Sequence, residues 1–297
     1  MRRLRFVQVD VFAERPFAGN PLAVFPDAAG LSDAEMQAIA REMNLSETTF
    51  VTPPRAGGDA SVRIFTPELE LPFAGHPSVG TAVELVRLGA VAATGPRTTV
   101  VLELGVGPTA VEVDVRDGVP VRGTVLQRAP RFGVPVPRPE AAAALGLEPA
   151  DLHPELEPVP VDTGLCYVVT PLASLEALGR IVVPPGLAVA FEQRYAELYP
   201  CAFTGDESPW VEARGLFPSA GIPEDPATGS AAGPLAAYMA RAGRLAPGVP
   251  RVVLQGARIG RPSHLTVVVS GPPEAPDGVR VGGAVQPVLE GELTLRD

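Results

Sequence analysis

Lysine is absent from this sequence of 297 residues, so all 24 of its basic side chains are arginines. Without lysine the chain cannot form an internal Schiff base with pyridoxal phosphate or with a carbonyl substrate, and it cannot supply a P-loop lysine. The composition therefore excludes lysine-based covalent catalysis and P-loop nucleotide binding.

Cysteine and histidine are scarce, with two and three residues. Cys166 and Cys201 lie in separate apolar segments, form no C-x-x-C motif and have no histidine nearby. This pattern predicts two buried free thiols in a reducing compartment. His76, His153 and His264 show no H-x-x-H spacing, so no metal site is predicted.

Basic charge is also in deficit, since the formal net charge is −10 at pH 7 and the isoelectric point is about 4.9. An acidic chain is a poor non-specific binder of nucleic acid, although it can still hold an anionic small substrate locally. No apolar run reaches the roughly 18 residues of a membrane span. We expect a folded cytoplasmic protein that binds neither nucleic acid nor a membrane.

Two short stretches of the sequence resemble each other. They are Gly75–Ala82 (GHPSVGTA) and Glu224–Ala231 (EDPATGSA), and aligning their prolines places His76 against Asp225. Each leads into an apolar, alanine-rich segment, and the start of a helix presents unpaired backbone N–H groups that suit an anion. The pattern predicts two similar halves with one anion site between them. Two ordinary helix starts would share the same proline and Ser/Thr residues, so that alternative stays open.

The order of predicted elements favours an α+β fold. Each half contains several strands around one helix, Val79–Leu88 in the first and Ser230–Ala242 in the second, and each helix is apolar on nearly every side. Such a helix is expected to be buried, which favours a rolled, mostly antiparallel sheet around a central helix. We place the domains at residues 1–120 and 121–297, with the C-terminal strand able to return to the first.

Three further elements are predicted from local patterns. Leu31–Met43 is predicted as a helix with Ser32 as its N-cap, because Glu35 follows at capping-box spacing. Phe50–Thr52 is predicted as a strand, and Ala188–Leu198 as a helix.

Three side chains are candidates for chemistry. Glu47, between a helix end and a strand, would be a general acid/base if partly buried, but a lone glutamate among Ser and Thr is more often solvated. His76 lies at a predicted helix start, although a lone histidine is more often structural. Asp225 precedes a proline, and either caps the second helix or orients His76.

The chain resembles the phenazine-biosynthesis PhzF-like isomerase family over nearly its whole length. The segments that carry the resemblance are Val9–Phe12, Gly19–Val24, Asn44–Thr48, Arg63–Pro67, Phe73–Pro77, Glu224–Ala231, Gln255–Gly256, Gly260–Ser263 and Gly282–Val285. No single segment is specific, but the combination is.

The resemblance implies a diaminopimelate-epimerase-like fold of two pseudo-symmetric domains, with the active site between them, and a homodimer. It implies a cofactor-independent shift of a proton in a small carboxylated substrate, as in the family member that acts on a dihydro-hydroxyanthranilate ring. By position, Glu47 would transfer the proton and His76 and Asp225 would be its partners. The backbone N–H groups around Gly75–His76 and Gly229–Ser230 would hold the carboxylate.

The related epimerases use two cysteines, one on each face of the reacting carbon. In this sequence His76 and Asp225 lie where those thiols would be expected, and both cysteines lie elsewhere. An isomerase is therefore preferred, and the alternatives are an epimerase on the same fold or a non-catalytic protein that binds a small molecule.

Overall fold

The computed structural model describes residues 1–206 and 208–295. The chain forms two compact units, Met1–Val125 with Gly282–Asp297, and Leu126–Val281. The sequence-based division lies at 120/121, and the structural one lies at 125/126. From Gly282 onward the chain belongs to the first unit. Among the described residues, no helix is long and apolar enough to cross a membrane.

The first unit begins with ten regular elements in chain order. They are β1 (Arg2–Val11), β2 (Asn20–Phe25), α1 (Asp33–Met43), β3 (Glu47–Thr52), β4 (Ala60–Phe65), β5 (Glu70–Leu71), α2 (Gly75–Arg87), β6 (Arg97–Leu104), β7 (Gly107–Arg116) and β8 (Val119–Gln127), the last of which ends in the second unit.

The other elements begin at residue 131. They are β9 (Arg131–Phe132), α3 (Arg138–Ala144), β10 (Val159–Asp162), β11 (Cys166–Pro171), α4 (Leu175–Arg180), α5 (Pro185–Arg194), β12 (Glu197–Phe203), β13 (Val211–Ala213), β14 (Gly215–Phe217), β15 (Ile222–Asp225), α6 (Gly229–Arg241), β16 (Arg251–Gln255), β17 (Ser263–Ser270) and β18 (Gly278–Leu295). Short 3₁₀ turns lie at Pro149–Asp151, Pro218–Ala220 and Ala257–Ile259.

The sheet of the first unit wraps around α2. Its strands run in the order β1-β2-β3-β4-β6-β7-β8, and β18 pairs antiparallel with β1 and is also a neighbour of β8. Every residue of α2 from Gly75 to Val86 is buried, as a helix that is apolar on nearly every side should be. Gly80 allows the close approach, since a Cβ there would lie 2.6 Å from Leu22 Cδ2 and 2.7 Å from Val11 Cγ2.

Helix α1 confirms the predicted capping box. The Ser32 hydroxyl accepts from the Glu35 N–H, and the Glu35 carboxylate accepts from the Ser32 N–H. The helix ends at Asn44 in the left-handed conformation, and its inner face packs Met36 and Ile39 into an apolar cluster with Phe50. Local capping and amphipathic spacing together explain this element.

The sheet of the second unit carries the other central helix. Its strands run in the order β17-β16-β13-β12-β11-β10-β9, with β11–β12 and β13–β16 parallel and the other pairs antiparallel. Helix α6 packs against β10, β11 and β17, and all of its residues Gly229–Ala240 except Ser230 are buried. The two apolar helices confirm the predicted α+β class with a central helix in each unit.

Two sequence predictions are wrong. The predicted helix Ala188–Leu198 ends at Arg194, because Leu198 belongs to β12, where residues 198–202 are buried. Such a continuous apolar run is compatible with helix or strand, and its pairing with β11 decides for the strand. Cys166, expected to be buried, is exposed at the start of β11, whereas Cys201 is a buried free thiol as predicted.

Candidate active site

Glu47 is the first residue of β3. It pairs with Leu22 of β2, so the strand begins three residues before the predicted Phe50. This long-range pairing, which local propensity does not reveal, places Glu47 on a rigid element rather than in a loop. Its side chain is only 14% exposed.

His76 contacts Glu47. The His76 Nε2 atom lies 3.3 Å from Glu47 Oε2, and the histidine side chain is 6% exposed. The ring also donates a hydrogen bond to the backbone of Pro21, which can only accept because proline has no N–H. The nitrogen facing Glu47 is Nε2, so Nδ1 is the one that serves Pro21.

The His76 ring is neutral at physiological pH. Burial lowers its pKa to about 3, and the hydrogen bond to the Pro21 backbone opposes this only in part. With the proton on Nδ1, the Nε2 atom carries a lone pair and is an acceptor. This lone pair faces the Glu47 carboxyl group, so Nε2 can accept a hydrogen bond from that group only when the group carries a proton.

The start of α2 is suited to an anion. Its N-cap residue, Ala74, makes no side-chain capping bond, and the first turn contains no acidic residue. Gly75 and His76 are the first two residues of the helix, so their N–H groups belong to the unpaired donors of a helix start. The prediction began this helix at Val79, and the structure adds the whole motif to it.

The start of α6 has the same character. Thr228 is its N-cap residue without a side-chain capping bond, and no acidic residue lies in the first turn. Gly229 and Ser230 are the first two helical residues. The Ser230 hydroxyl lies 2.8 Å from the hydroxyl of Tyr167 on β11, a residue that the sequence analysis did not single out. Tyr167 lies among apolar residues of a strand, so the sequence pattern does not mark it as a site residue.

Asp225 ends β15 and is buried. Its Oδ2 accepts a hydrogen bond of 2.5 Å from the Thr228 hydroxyl, and its backbone carbonyl accepts one of 2.8 Å from Gln255 Nε2. Both partners, Thr228 and Gln255, lie in segments that carry the family resemblance, but these hydrogen bonds could not be predicted from the sequence.

The predicted residues form two groups. In the first unit the structure brings Glu47 to His76 at the start of α2. In the second unit Asp225 lies four residues before Gly229, the first residue of α6, and accepts a hydrogen bond from the N-cap residue Thr228. Cys166 and Cys201 are distant in sequence from the residues of both groups. Burial raises the pKa of both thiols. A thiol acid/base of the epimerase type is not supported.

The described part of the chain contains no group of three or more His, Cys, Asp or Glu side chains able to hold a metal ion.

Comparison with known proteins identifies the family. The family model for phenazine biosynthesis-like proteins matches residues 9–291. The trans-2,3-dihydro-3-hydroxyanthranilate isomerase of Pseudomonas fluorescens is 40% identical over 278 residues, which is 94% of this chain and 95% of that protein. The enzyme of the same name from Pseudomonas aeruginosa is 38% identical over 98% of this chain and 99% of its own length.

Solved structures agree with these relatives. A PhzF-family protein from Bacillus anthracis matches with a TM-score of 0.87 and 28% identity, over 99% of this chain and all of its own. A hydroxyproline epimerase from Agrobacterium vitis, 15% identical, matches with a TM-score of 0.70 over 100% of this chain and 94% of its own, which extends the likeness of fold to epimerases. The chain thus belongs to the phenazine biosynthesis-like, or PhzF-like, family and is an isomerase.

Proposed function

We propose that this isomerase moves a proton, and with it a double bond, within a small carboxylated substrate, and that Glu47 carries the proton without a cofactor. The observation that supports this most is the 3.3 Å contact between Glu47 Oε2 and the neutral His76 Nε2. A carboxyl group with little exposure and a lone-pair partner can hold a proton and release it.

The proposed reaction is balanced within the substrate and Glu47. The Glu47 carboxylate takes a proton from one carbon, and the electrons of that C–H bond form a new double bond. The electrons of the old double bond then take the proton back from Glu47 at a more distant carbon. No electron is gained or lost overall, so the chemistry needs no redox partner.

His76 assists this proton transfer with its ring held in one orientation. Its Nδ1–H is committed to the Pro21 backbone, which fixes the ring so that Nε2 faces Glu47. When Glu47 holds the proton, Nε2 can accept a hydrogen bond from it. Glu47 can thus accept a proton from the substrate and return it, with Nε2 as its hydrogen-bond acceptor while it is protonated.

We propose further that the substrate carboxylate is held by backbone N–H groups of Gly75–His76 and of Gly229–Ser230, with Asp225 as the third side chain of the site. Both helices start without a side-chain cap or an acidic residue in the first turn, which supports their N–H groups as donors to the carboxylate. Negative charge that spreads into the substrate during proton removal would be stabilised by the same donors.

The names of the relatives give the first candidate for the substrate. Two curated relatives are named trans-2,3-dihydro-3-hydroxyanthranilate isomerases. We propose this compound, or another cyclohexadiene carboxylate, as the substrate class.

The decisive test is proton NMR of a cyclohexadiene carboxylate panel in D₂O. Wild type should incorporate deuterium or form an isomer of at least one compound. Glu47→Gln should lose about 10²- to 10⁴-fold in turnover, since the amide keeps the shape but cannot carry the proton. Binding measured by calorimetry should change little. Glu42→Gln, at an exposed position of α1, is the matched control.

The outcome that contradicts the proposal is turnover by Glu47→Gln within threefold of wild type. For the anion donors, Ser230→Pro removes one N–H at the second residue of α6, and Ser230→Ala removes only the hydroxyl. Weaker carboxylate binding in the proline variant but not in the alanine variant supports the backbone donor, and equal binding in both excludes it.

A further inference from the structure

The Gln255 side chain is fully buried, and each of its hydrogen-bonding atoms is used. Its Oε1 accepts from the Tyr199 hydroxyl at 2.6 Å and from the Thr228 backbone N–H at 3.1 Å. Its Nε2 donates to the Asp225 backbone carbonyl at 2.8 Å and to Thr228 Oγ1 at 2.9 Å. A buried amide with four partners is a strongly ordered group.

The direction of each of these bonds is determined. The Thr228 N–H can only donate and the Asp225 carbonyl can only accept, so the Gln255 amide cannot be turned over without losing both. Its Nε2 must therefore donate to Thr228 Oγ1. The single hydroxyl proton of Thr228 is then directed away from Gln255, and the acceptor it meets at 2.5 Å is Asp225 Oδ2.

We propose that Gln255 is a positioning residue, which fixes the Thr228 hydroxyl as a donor to Asp225 and so holds Asp225 as a carboxylate. The inference rests on the proposed function only for the statement that Asp225 belongs to the active site. The orientation of the donor is set by the hydrogen bonds alone.

The space beside the Thr228 hydroxyl and the Gln255 amide is too small for a side chain at position 215. Gly215 of β14 pairs with Asp225 of β15, and a Cβ at Gly215 would lie 2.6 Å from Thr228 Oγ1 and 2.7 Å from Gln255 Nε2. The backbone conformation of Gly215 does not require glycine, since its φ is not positive. The requirement is room for the Thr228 hydroxyl and the Gln255 amide.

The neighbouring charges explain why a directed donor is needed. Burial raises the pKa of Glu197 of β12 to about 7, and the negative charges of Glu192 of α5 and of Asp225 add to this effect. The charge of Asp225 also acts on Tyr199 of β12. A hydrogen bond donated to Oδ2 stabilises the negative charge of a carboxylate that lies near other acidic groups.

Arg214, between β13 and β14, is already engaged by another carboxylate. It donates to both carboxylate oxygens of Glu224, the residue before Asp225 in β15. Arg214 thus pairs with Glu224, whereas the Thr228 hydroxyl donates to Asp225 Oδ2.

The test is a carbon NMR titration of Asp225 in protein labelled at the aspartate carboxyl, assigned with Asp225→Asn. Thr228→Val keeps the side-chain shape and removes the hydroxyl, whereas Thr228→Ser keeps the hydroxyl. Thr228 makes no side-chain capping bond, so the change does not remove a helix cap. Should Thr228→Val fold poorly, Thr228→Ala removes the same donor with less bulk.

The titration midpoint of Asp225 should rise by about one pH unit in Thr228→Val and stay within about 0.3 units of wild type in Thr228→Ser. Gln255→Met, which removes the amide but leaves Thr228 intact, should give a smaller rise in the same direction. The comparison is repeated in Glu197→Gln, so that titration of Glu197 does not enter. An unchanged midpoint in Thr228→Val would overturn the inference.

The acidic limb of kcat/KM should move with the NMR midpoint, while a purely structural role would lower activity at every pH alike. A shifted midpoint in a protein that exchanges no carbon-bound proton would keep the inference and refute the proposed function. Glu47-dependent turnover with an unshifted midpoint would do the reverse.

Discussion

Replacing His76 by asparagine should reduce the loss of stability between pH 7 and pH 5 by about 2 kcal/mol. The asparagine side chain can still donate to the Pro21 backbone from near the position of Nδ1, but it does not titrate. The comparison therefore isolates the protonation of a buried imidazole, whose native pKa is about 3 because burial disfavours the charged ring.

The sign and the size of the effect are given by linkage. The unfolded chain binds a proton at His76 near pH 6.5, whereas the native chain binds it only near pH 3. The neutral ring therefore contributes its full stabilisation above pH 6.5, and this contribution is lost as the pH falls toward 3. With about 1.4 kcal/mol per pH unit, going from pH 7 to pH 5 costs the wild type about 2 kcal/mol through this residue alone.

Urea unfolding at pH 7 and pH 5 measures this difference. The loss of unfolding free energy between the two pH values should be about 2 kcal/mol smaller in His76→Asn than in its parent. Both proteins carry Glu47→Gln, so that the neighbouring carboxyl does not titrate. His153→Asn, at a more exposed ring, is the control for removing a histidine. Equal losses in parent and His76→Asn would refute the assignment of a buried neutral ring.

Helix capping, a mostly buried ion pair and core packing give three predictions of stability, each measured by urea unfolding against wild type. Ser32→Ala should cost about 1 kcal/mol, since it removes the N-cap of α1, and Ser32→Asn should restore most of it. Glu224→Gln should cost about 3 kcal/mol, because it leaves Arg214 without its carboxylate where both side chains are mostly buried; loss below 1 kcal/mol would contradict this. Gly80→Ala should cost roughly 1–3 kcal/mol despite the better helix propensity of alanine, because its Cβ would meet Leu22, and a stabilised variant would contradict the packing.

The sequence was sufficient for features encoded locally. The capping box at Ser32, the two apolar helices and the α+β class could all be predicted, because each depends on residues close in sequence or on composition of one element. The position of Glu47 at the start of β3 could not, because β2 decides where that strand begins. The same holds for Leu198, whose apolar run becomes a strand only by pairing with β11.

The candidate site shows the same division. Glu47, His76 and Asp225 were singled out from motif and resemblance, and the structure places the first two 3.3 Å apart. Tyr167 and Gln255 were not singled out as site residues, since their hydrogen bonds run to residues 63 and 27–30 positions away. Polar residues in apolar strands are the signal that such partners leave, but sequence alone does not say which group they meet.

Strand β18 has a consequence for the order in which the chain folds. It pairs with β1 from Arg2↔Leu295 to Val11↔Val285, so the first unit is completed by residues that come after the entire second unit in the chain. Closing such a long loop before the intervening residues are ordered is entropically costly and slow. The second unit, which is continuous from Leu126 to Val281, can become compact first and shorten the effective loop. During synthesis, β1 can pair with β18 only after the whole second unit has been made.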